Sequence, residues 1–448
     1  MLPEARISMY RIGLKLTAIF LVAVPGWSQT APLRLTLEDA IQRGLKSNLA
    51  VLVADSRVAE ARGTAERRQS ALYPRVRIDT PITIQTRNLR AQGISFPGLP
   101  DVVGPFTTYD FRASADQSIL DLTALHASRA AKESVKAVRS DYQDARDQVI
   151  RNVASLYLSC QSAAALTESA KSRVDTAQVL YQLALDQRDA GVATGIDVLR
   201  AQVQLAHEKQ GLVQASNAAK ESLLVLARNI GLSPGTPIEL AEKLSATNVP
   251  MPTPEEALAN ALDTRPDYQA LAKQRDVLNE QVKASNARFY PRLSANANYG
   301  GIGRTFSQIT GTGAAQLSLS FTVFDRDRQG ERKELEARLD RISRQAADMK
   351  LGIEQDIRQA LLRLDSATEE VTVAVAGLDL AQKELDLAKY RFQNGVTNNV
   401  EVVNAQDSLA RAQQNHIVAL THHADARIML SRALGNTENT YSQYLGSH

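Results

Sequence analysis

The sequence predicts a mainly α protein whose few strands suit a membrane β-barrel, laid out as a tandem repeat. Three observations predict it. Nearly the same phrase occurs twice, SALYPR at 70–75 and ARFYPR at 287–292. Four segments of about ten residues alternate apolar and polar side chains, as strands with two unlike faces do. Residues 121–190 contain neither glycine nor proline, and their apolar residues recur at steps of three and four. Over such a length that spacing is a coiled-coil seam rather than the face of a globular surface helix.

The repeat is explicit in the offsets. A shift of 217 lays LTLEDAIQRGL (35–45) on PTPEEALANAL (252–262) and Tyr73-Pro74 on Tyr290-Pro291. A shift of 204 lays DAGVATGIDVLRAQ (189–202) on QNGVTNNVEVVNAQ (393–406) and LARNIG (226–231) on LSRALG (430–435). The first copy therefore holds thirteen extra residues, assigned to the Gly/Pro-rich loop QGISFPGLPDVVG.

The elements follow in order. MLPEARISMYRIGLKLTAIFLVAVPGWSQT reads as a secretory signal peptide over 1–28, with basic Arg6, Arg11 and Lys15 before a short apolar run, and Met9 as an alternative start. The first repeat covers 29–231, an inter-repeat linker 232–253, the second repeat 254–435 and a C-terminal tail 436–448. Each repeat opens with a helix, over 36–73 and 254–290, which proline stops at the joints Tyr73-Pro74 and Tyr290-Pro291. Within the second of these, Pro266 is expected to distort the helix. Strands are expected at about 75–92 and 108–120, then at about 292–303 and 313–324. Val76, Ile78, Ile82 and Ile84 share one face, with Arg77, Thr83 and Gln85 opposite. Helical hairpins follow over 121–231 and 326–435, and each long helix would run roughly 100 Å. Gly191 and Gly395 end the long helices; Thr194 with Asp197, and Asn398 with Glu401, restart the chain as capping boxes.

Composition narrows the function. The formal net charge of +3 on 448 residues gives no polybasic signal, so no nucleic-acid partner is expected. Aromatic content of 5% is low for a large compact core. Cys160 is the only cysteine, which excludes an internal disulfide, and no cysteine follows the leader to carry a lipid anchor. Past the leader no apolar run approaches a transmembrane helix. His416 and His423 are about 10 Å apart along one helix stripe and read as polar seam residues. YGGIG (299–303) has no Lys-Ser/Thr to go with it and reads as a turn. No nucleophile–base pair, metal set or cofactor motif stands out, so the protein is read as a non-enzyme with no cofactor. Four strands leave two edges, and edges are not tolerated in lipid. Closed barrels need eight or more strands, which forces oligomerisation: two chains give eight, three give twelve.

On LEDAI, ALDTRPD (261–267), the Tyr-Pro joints and the tips GVATGIDVLRAQ and GVTNNVEVVNAQ, the chain resembles the TolC-like outer-membrane efflux family from about Leu35 to Gly435. The resemblance implies a homotrimer in outer-membrane lipid, with a 12-strand β-barrel and a 12-helix α-barrel in the periplasm. It implies export from an inner-membrane pump of RND or ABC type, handed over by a periplasmic adaptor (membrane fusion) protein. A type I protein secretion duct is the alternative, and a periplasmic coiled-coil adaptor or scaffold a distant one. It also implies a periplasmic gate at Glu401, with the equivalent Asp197; the family's second acidic position falls on Asn404 here. The turns Gly191-Val192-Ala193 and Gly395-Val396-Thr397 would be the tips that dock the adaptor.

Overall fold

The computed structural model describes residues 32–95, 97–98, 100–247, 251–394, 396–397, 399–435 and 437–445. The expected signal peptide, Gly395 and Asn398 lie outside them.

The chain begins with β1 (Leu33–Leu35), α1 (Leu37–Ser47) and α2 (Leu49–Gln69). Thr36 caps α1 by accepting from the Asp39 N–H at 3.0 Å. The single helix expected over 36–73 is in fact broken at Asn48. Its backbone is extended (ψ 129°), and its Oδ1 accepts from the Ala50 N–H at 3.0 Å, so one residue ends α1 and caps α2. The helix expected over 254–290 is likewise two, α5 (Pro254–Thr264) and α6 (Pro266–Ala287). Arg265 stays extended because the following proline ring excludes the α region, so Pro266 breaks the helix rather than bending it.

One sheet holds β2 (Arg75–Asp79), β3 (Ile82–Asn88), β4 (Val102–Leu120), β6 (Arg292–Gly303) and β7 (Thr310–Ser320). The strand expected over 75–92 is interrupted at Pro81, which has no N–H to donate; its carbonyl still accepts from the Asp110 N–H at 3.1 Å. Both pieces pair with β4, which pairs with β6, which pairs with β7, all antiparallel. The register sorts the faces. Val76, Ala115, Ala297 and Ala315 form one row across the sheet, and Arg75, Asp116, Asn296 and Gln316 the next. Val76, Ile78, Tyr299 and Leu317 are 65–75% exposed, so the apolar face is bare. Residues 299–303, expected as a turn, are the end of β6. Glycine is required at Gly300, where a Cβ would stand 1.9 Å from the Phe111 carbonyl oxygen.

Two 68-residue helices leave the sheet, α3 (Leu122–Asp189) and α7 (Arg326–Gln393). Asp121 and Asp325 cap them through the N–H groups of Ala124 and Arg328. Arg292, at the start of β6, pairs with the Asp121 carboxylate and ties the sheet to the α3 cap. The return helices are α4 (Gly195–Asn229) and α8 (Asn399–Leu434). Midway along α3, Val149, Ile150, Val153 and Tyr157 meet Leu37, Ile41 and Leu45 of α1 and Leu226 of α4 in the main core. Each buried Leu or Ile there contributes about 1.5–3 kcal/mol. The Tyr157 hydroxyl donates to the Leu35 carbonyl at 3.0 Å.

The linker and tail are more ordered than their composition predicts. Within 232–253, β5 (Ile238–Leu240) pairs in parallel with β1. Within 436–448, α9 (Thr437–Leu445) lies against α3, where Arg146 and Gln143 hold Glu438. His416 is half-buried, but His423 is 2% exposed, and burial beside Arg427 pushes its pKa down. Among the described residues no helix is long and apolar enough to cross a membrane.

Asp147 is fully buried on α3 and accepts from the Glu438 N–H at 3.3 Å, at the start of α9. Burial pushes its pKa up to about 6, against the opposing pull of Arg432. A folded-state value above the ordinary 3.8 means the folded chain holds an extra proton between about pH 4 and pH 6. The contribution is therefore complete below that window and lost as pH rises through it, on the order of 3 kcal/mol. Asp147→Asn should flatten this fall. Urea unfolding of both proteins from pH 4 to 7 checks it, and parallel stability curves would refute it.

Candidate functional site: the helical tips

The two hairpin turns lie side by side at the end of the long helices remote from the sheet. Leu180 of α3, Leu385, Ala388 and Phe392 of α7, and Val402 and Ala405 of α8 form a small core just behind them. Gln187 Nε2 donates across to the Phe392 carbonyl at 3.2 Å. A second small core, Ala184 with Val198 and Ala201, fixes α4 against α3.

At the first turn, Gly191 adopts φ +75°, the left-handed conformation that lets α3 end. The N–H groups of Val192 and Ala193 donate back to the Gln187 carbonyl at 2.8 and 3.1 Å. Thr194 and Asp197 form the capping box at the start of α4, and the Thr194 N–H and hydroxyl donate to Asp197 at 3.1 and 2.6 Å. The Thr194 hydroxyl, aided by its N–H and by Arg200 at 3.8 Å, holds the Asp197 carboxyl below its ordinary range. The second turn reaches a similar end differently. The Val396 N–H donates to the Arg391 carbonyl at 2.9 Å. Glu401 accepts from the Thr397 hydroxyl, and its other oxygen lies 3.5 Å from Arg391 Nε. The expected cap partner Asn398 lies outside the described residues, as does Gly395. Asn404 is exposed one turn further along α8.

Val192 and Val396 are 66% and 67% exposed, so neither valine is consumed by packing across its own turn. Beside them runs an apolar groove of about 420 Å³ between α4 and α8, lined by Ile196, Leu199, Val203, Val400 and Val403. The sequence reading did not single out these residues. The signal was present, because Ile196, Leu199 and Val203 fall outside the α4 seam of Val198, Ala201 and Leu205, on a face that should be polar. The site thus combines restrained carboxylates, compensating arginines and bare aliphatic side chains. Among the described residues no group of acidic, histidine or cysteine side chains could hold a metal ion.

The joints at the other end are separate from the tips. Tyr73 and Tyr290 are both about 60% exposed where Pro74 and Pro291 open the strands.

Comparison with known proteins agrees with this arrangement. The Probable efflux pump outer membrane protein TtgC of Pseudomonas putida is 25% identical over 312 residues, which are 64% of this chain. The match spans 60% of the length of TtgC. The Pyoverdine export outer membrane protein OpmQ of Pseudomonas aeruginosa is 24% identical over 407 residues, 89% of this chain and 85% of OpmQ. The outer membrane protein VceC of Vibrio cholerae shares the fold, with a TM-score of 0.77 at 18% identity over 89% of this chain and 96% of VceC. The family model described as Outer membrane efflux protein matches residues 40–232 and 257–436, nearly the whole of the described chain, and the protein belongs to that outer-membrane family.

Proposed function

We propose that the protein is the outer-membrane duct of a tripartite efflux system, assembled from three copies. One observation carries this reading: an antiparallel sheet with a bare apolar face and two unpaired edge strands is mounted on two helices of 68 residues each. Among the described residues, β2 and β3 pair only with β4, and β7 only with β6. Pairing β7 with β2 and β3 of a second copy continues the antiparallel order. Three copies then close twelve strands with no edge left in hydrocarbon. The two repeats, 29–231 and 254–435, each supply two strand positions and one helical hairpin.

The helices support the same assembly. Leu351, Leu362, Val373, Leu380 and Leu387 are exposed along α7. They follow each other at steps of eleven or seven, which return to the same side of a helix. On α4, Val203, Val213 and Leu224 are exposed as well. In a ring of three copies, α7 of one copy meets α4 of the next and twelve helices enclose a periplasmic tunnel. The names of TtgC and OpmQ, an efflux pump protein and an export protein, favour small-molecule efflux over type I protein secretion. Cargo would arrive from an inner-membrane pump through a periplasmic adaptor.

Assembly is tested by mass. The protein extracted from outer membranes in mild detergent should run as three chains and shift to one chain on boiling. A stable single chain with its own closed barrel would overturn the trimer.

Asp197 and Glu401 would place six carboxylates around the tunnel mouth, each offset by an arginine. Such a ring favours cations. Asp197→Asn with Glu401→Gln should lower the cation-to-anion permeability ratio in planar bilayers by roughly two- to fivefold, against ~1 kcal/mol for a partly exposed charge site. An unchanged ratio would leave these residues only their capping role.

The exposed valines face the partner. Val192→Asp with Val396→Asp should leave trimer yield and outer-membrane delivery intact, while export and adaptor cross-linking at the tips are lost. Wild-type export in this variant would move the contact to the tunnel wall.

A further inference from the structure

The sheet end of the helical layer carries a second polar feature that duct function does not use. Helices α3 and α6 run side by side below the sheet. One face of this pair turns toward a hollow of about 1230 Å³ that α2 and α7 also line, so that face is the concave side of the layer. The opposite, convex face holds a groove of about 520 Å³ lined by α3 and α6 alone. Arg129, Lys132 and Lys136 enter it from α3, and Lys273 and Lys283 from α6. Three carboxylates oppose these five cations, and all are engaged. Glu133 takes Lys136 at 2.7 Å, Glu280 takes Lys283 at 2.7 Å and His126 at 2.8 Å, and Asp276 lies 3.8 Å from Lys273. Arg129 and Lys132 make no ion pair among the described residues, and both are exposed. The groove therefore presents two uncompensated cations.

Its depth decides what it meets. Tyr73, Tyr290, Phe321 and Phe324 are 59–76% exposed at the sheet–helix junction. Exposed aromatic residues at the end of an apolar strand band mark a membrane–water interface. Arg129 and Lys132 lie seven and ten residues into α3, about 10 and 15 Å below the sheet. Side chains on a helix lean toward its N-terminus, which on α3 is the sheet end. Long basic side chains leaning that way reach the layer, roughly 5–8 Å thick, where lipid headgroups lie. A neighbouring copy does not cover the groove, because at this level α3 and α6 sit inside the layer, between α2 and α7, and copies would join at its margins and at the sheet edges.

We propose that this groove binds the phosphate of an anionic phospholipid in the periplasm-facing leaflet, with Arg129 and Lys132 as its ligands. The proposal rests on the outer-membrane duct reading. In that setting the two cations fix the depth and rotation of each copy at the membrane surface.

The test uses the full-length assembly in detergent, incubated with phosphatidylglycerol or with phosphatidylcholine of the same acyl chains, and counts retained lipid by native mass spectrometry. Wild type should retain phosphatidylglycerol in preference to phosphatidylcholine, and millimolar sodium phosphate should not displace it. Arg129→Gln with Lys132→Gln should weaken retention by about ten- to thirtyfold, as two basic residues near an anionic surface imply. Arg341→Gln with Lys350→Gln removes the same charge from the exposed surface of α7 and should change nothing. Equal retention by the Arg129/Lys132 variant, equal binding of phosphatidylcholine, or displacement by free phosphate would overturn the proposal. Insertion of wild type into phosphatidylglycerol vesicles, read by heat-modifiable migration, separates the two readings. Failure to insert overturns the duct reading and this proposal together; insertion without charge-dependent retention overturns this proposal alone.

Discussion

The backbone groups along the two free edges of the sheet are the constraint on which the rest of the molecule depends. An unpaired N–H or C=O in hydrocarbon costs several kcal/mol, and each edge offers a row of them. The strands β2, β3 and β7 cannot relieve this within one chain, because the sheet is too narrow to close on itself. Assembly is thus a condition of the sheet existing in a membrane at all. The bare apolar face points the same way, since a row such as Val76, Ala115, Ala297 and Ala315 would gain from burial against lipid.

The helices inherit their geometry from that sheet. Helix α3 begins directly after β4, with the Asp121 cap in place of a loop, while four residues, Phe321 to Phe324, separate β7 from the Asp325 cap of α7. The Arg292–Asp121 pair locks the α3 cap to β6, so the direction of α3 is set where the sheet ends. Farther along, the core around Tyr157 gathers α1, α3, α4 and the short β1–β5 ladder into one girdle. Apolar side chains on α7 such as Leu351, Leu362 and Val373 stay exposed, just as the sheet edges have no partner strand among the described residues. Both deficits lie at the margins of the same layer, and the proposed cyclic arrangement would remove both.

Much of this was legible because it is written in periodicity. The glycine- and proline-free stretch is α3, and Gly191 ends it in the left-handed conformation that an L side chain would resist. The capping box of Thr194 and Asp197 was likewise visible as a spacing. What escaped was decided by tertiary contact. Asn48 breaks its helix by using its side chain on Ala50 and on the Asn229 carbonyl, 181 residues away. Gly300 looks like a turn residue, yet it lies within β6, where the Phe111 carbonyl of β4 leaves no room for a Cβ. The tail folds into α9 because Arg146, Gln143 and Asp147 wait for it on a distant part of α3. At the tips, the turns were readable, while the groove between α4 and α8 required knowing which two helices lie side by side.

The tips also show how the helix start fixes a carboxylate in place. A capping aspartate must stay ionised to accept from backbone and hydroxyl donors, and those donors lower its pKa. Asp197 is therefore a fixed charge whose position is set by the helix it caps, rather than a flexible side chain that could swing away. Glu401 is held by Thr397 and Arg391 instead, so equivalent carboxylates of the two repeats are restrained by different partners. Arg200 stands 3.8 Å from Asp197 and Arg391 3.5 Å from Glu401, so each carboxylate has a cation beside it. The α7–α8 hairpin is tied to α3 at this end by the contact that Gln187 makes with the Phe392 carbonyl.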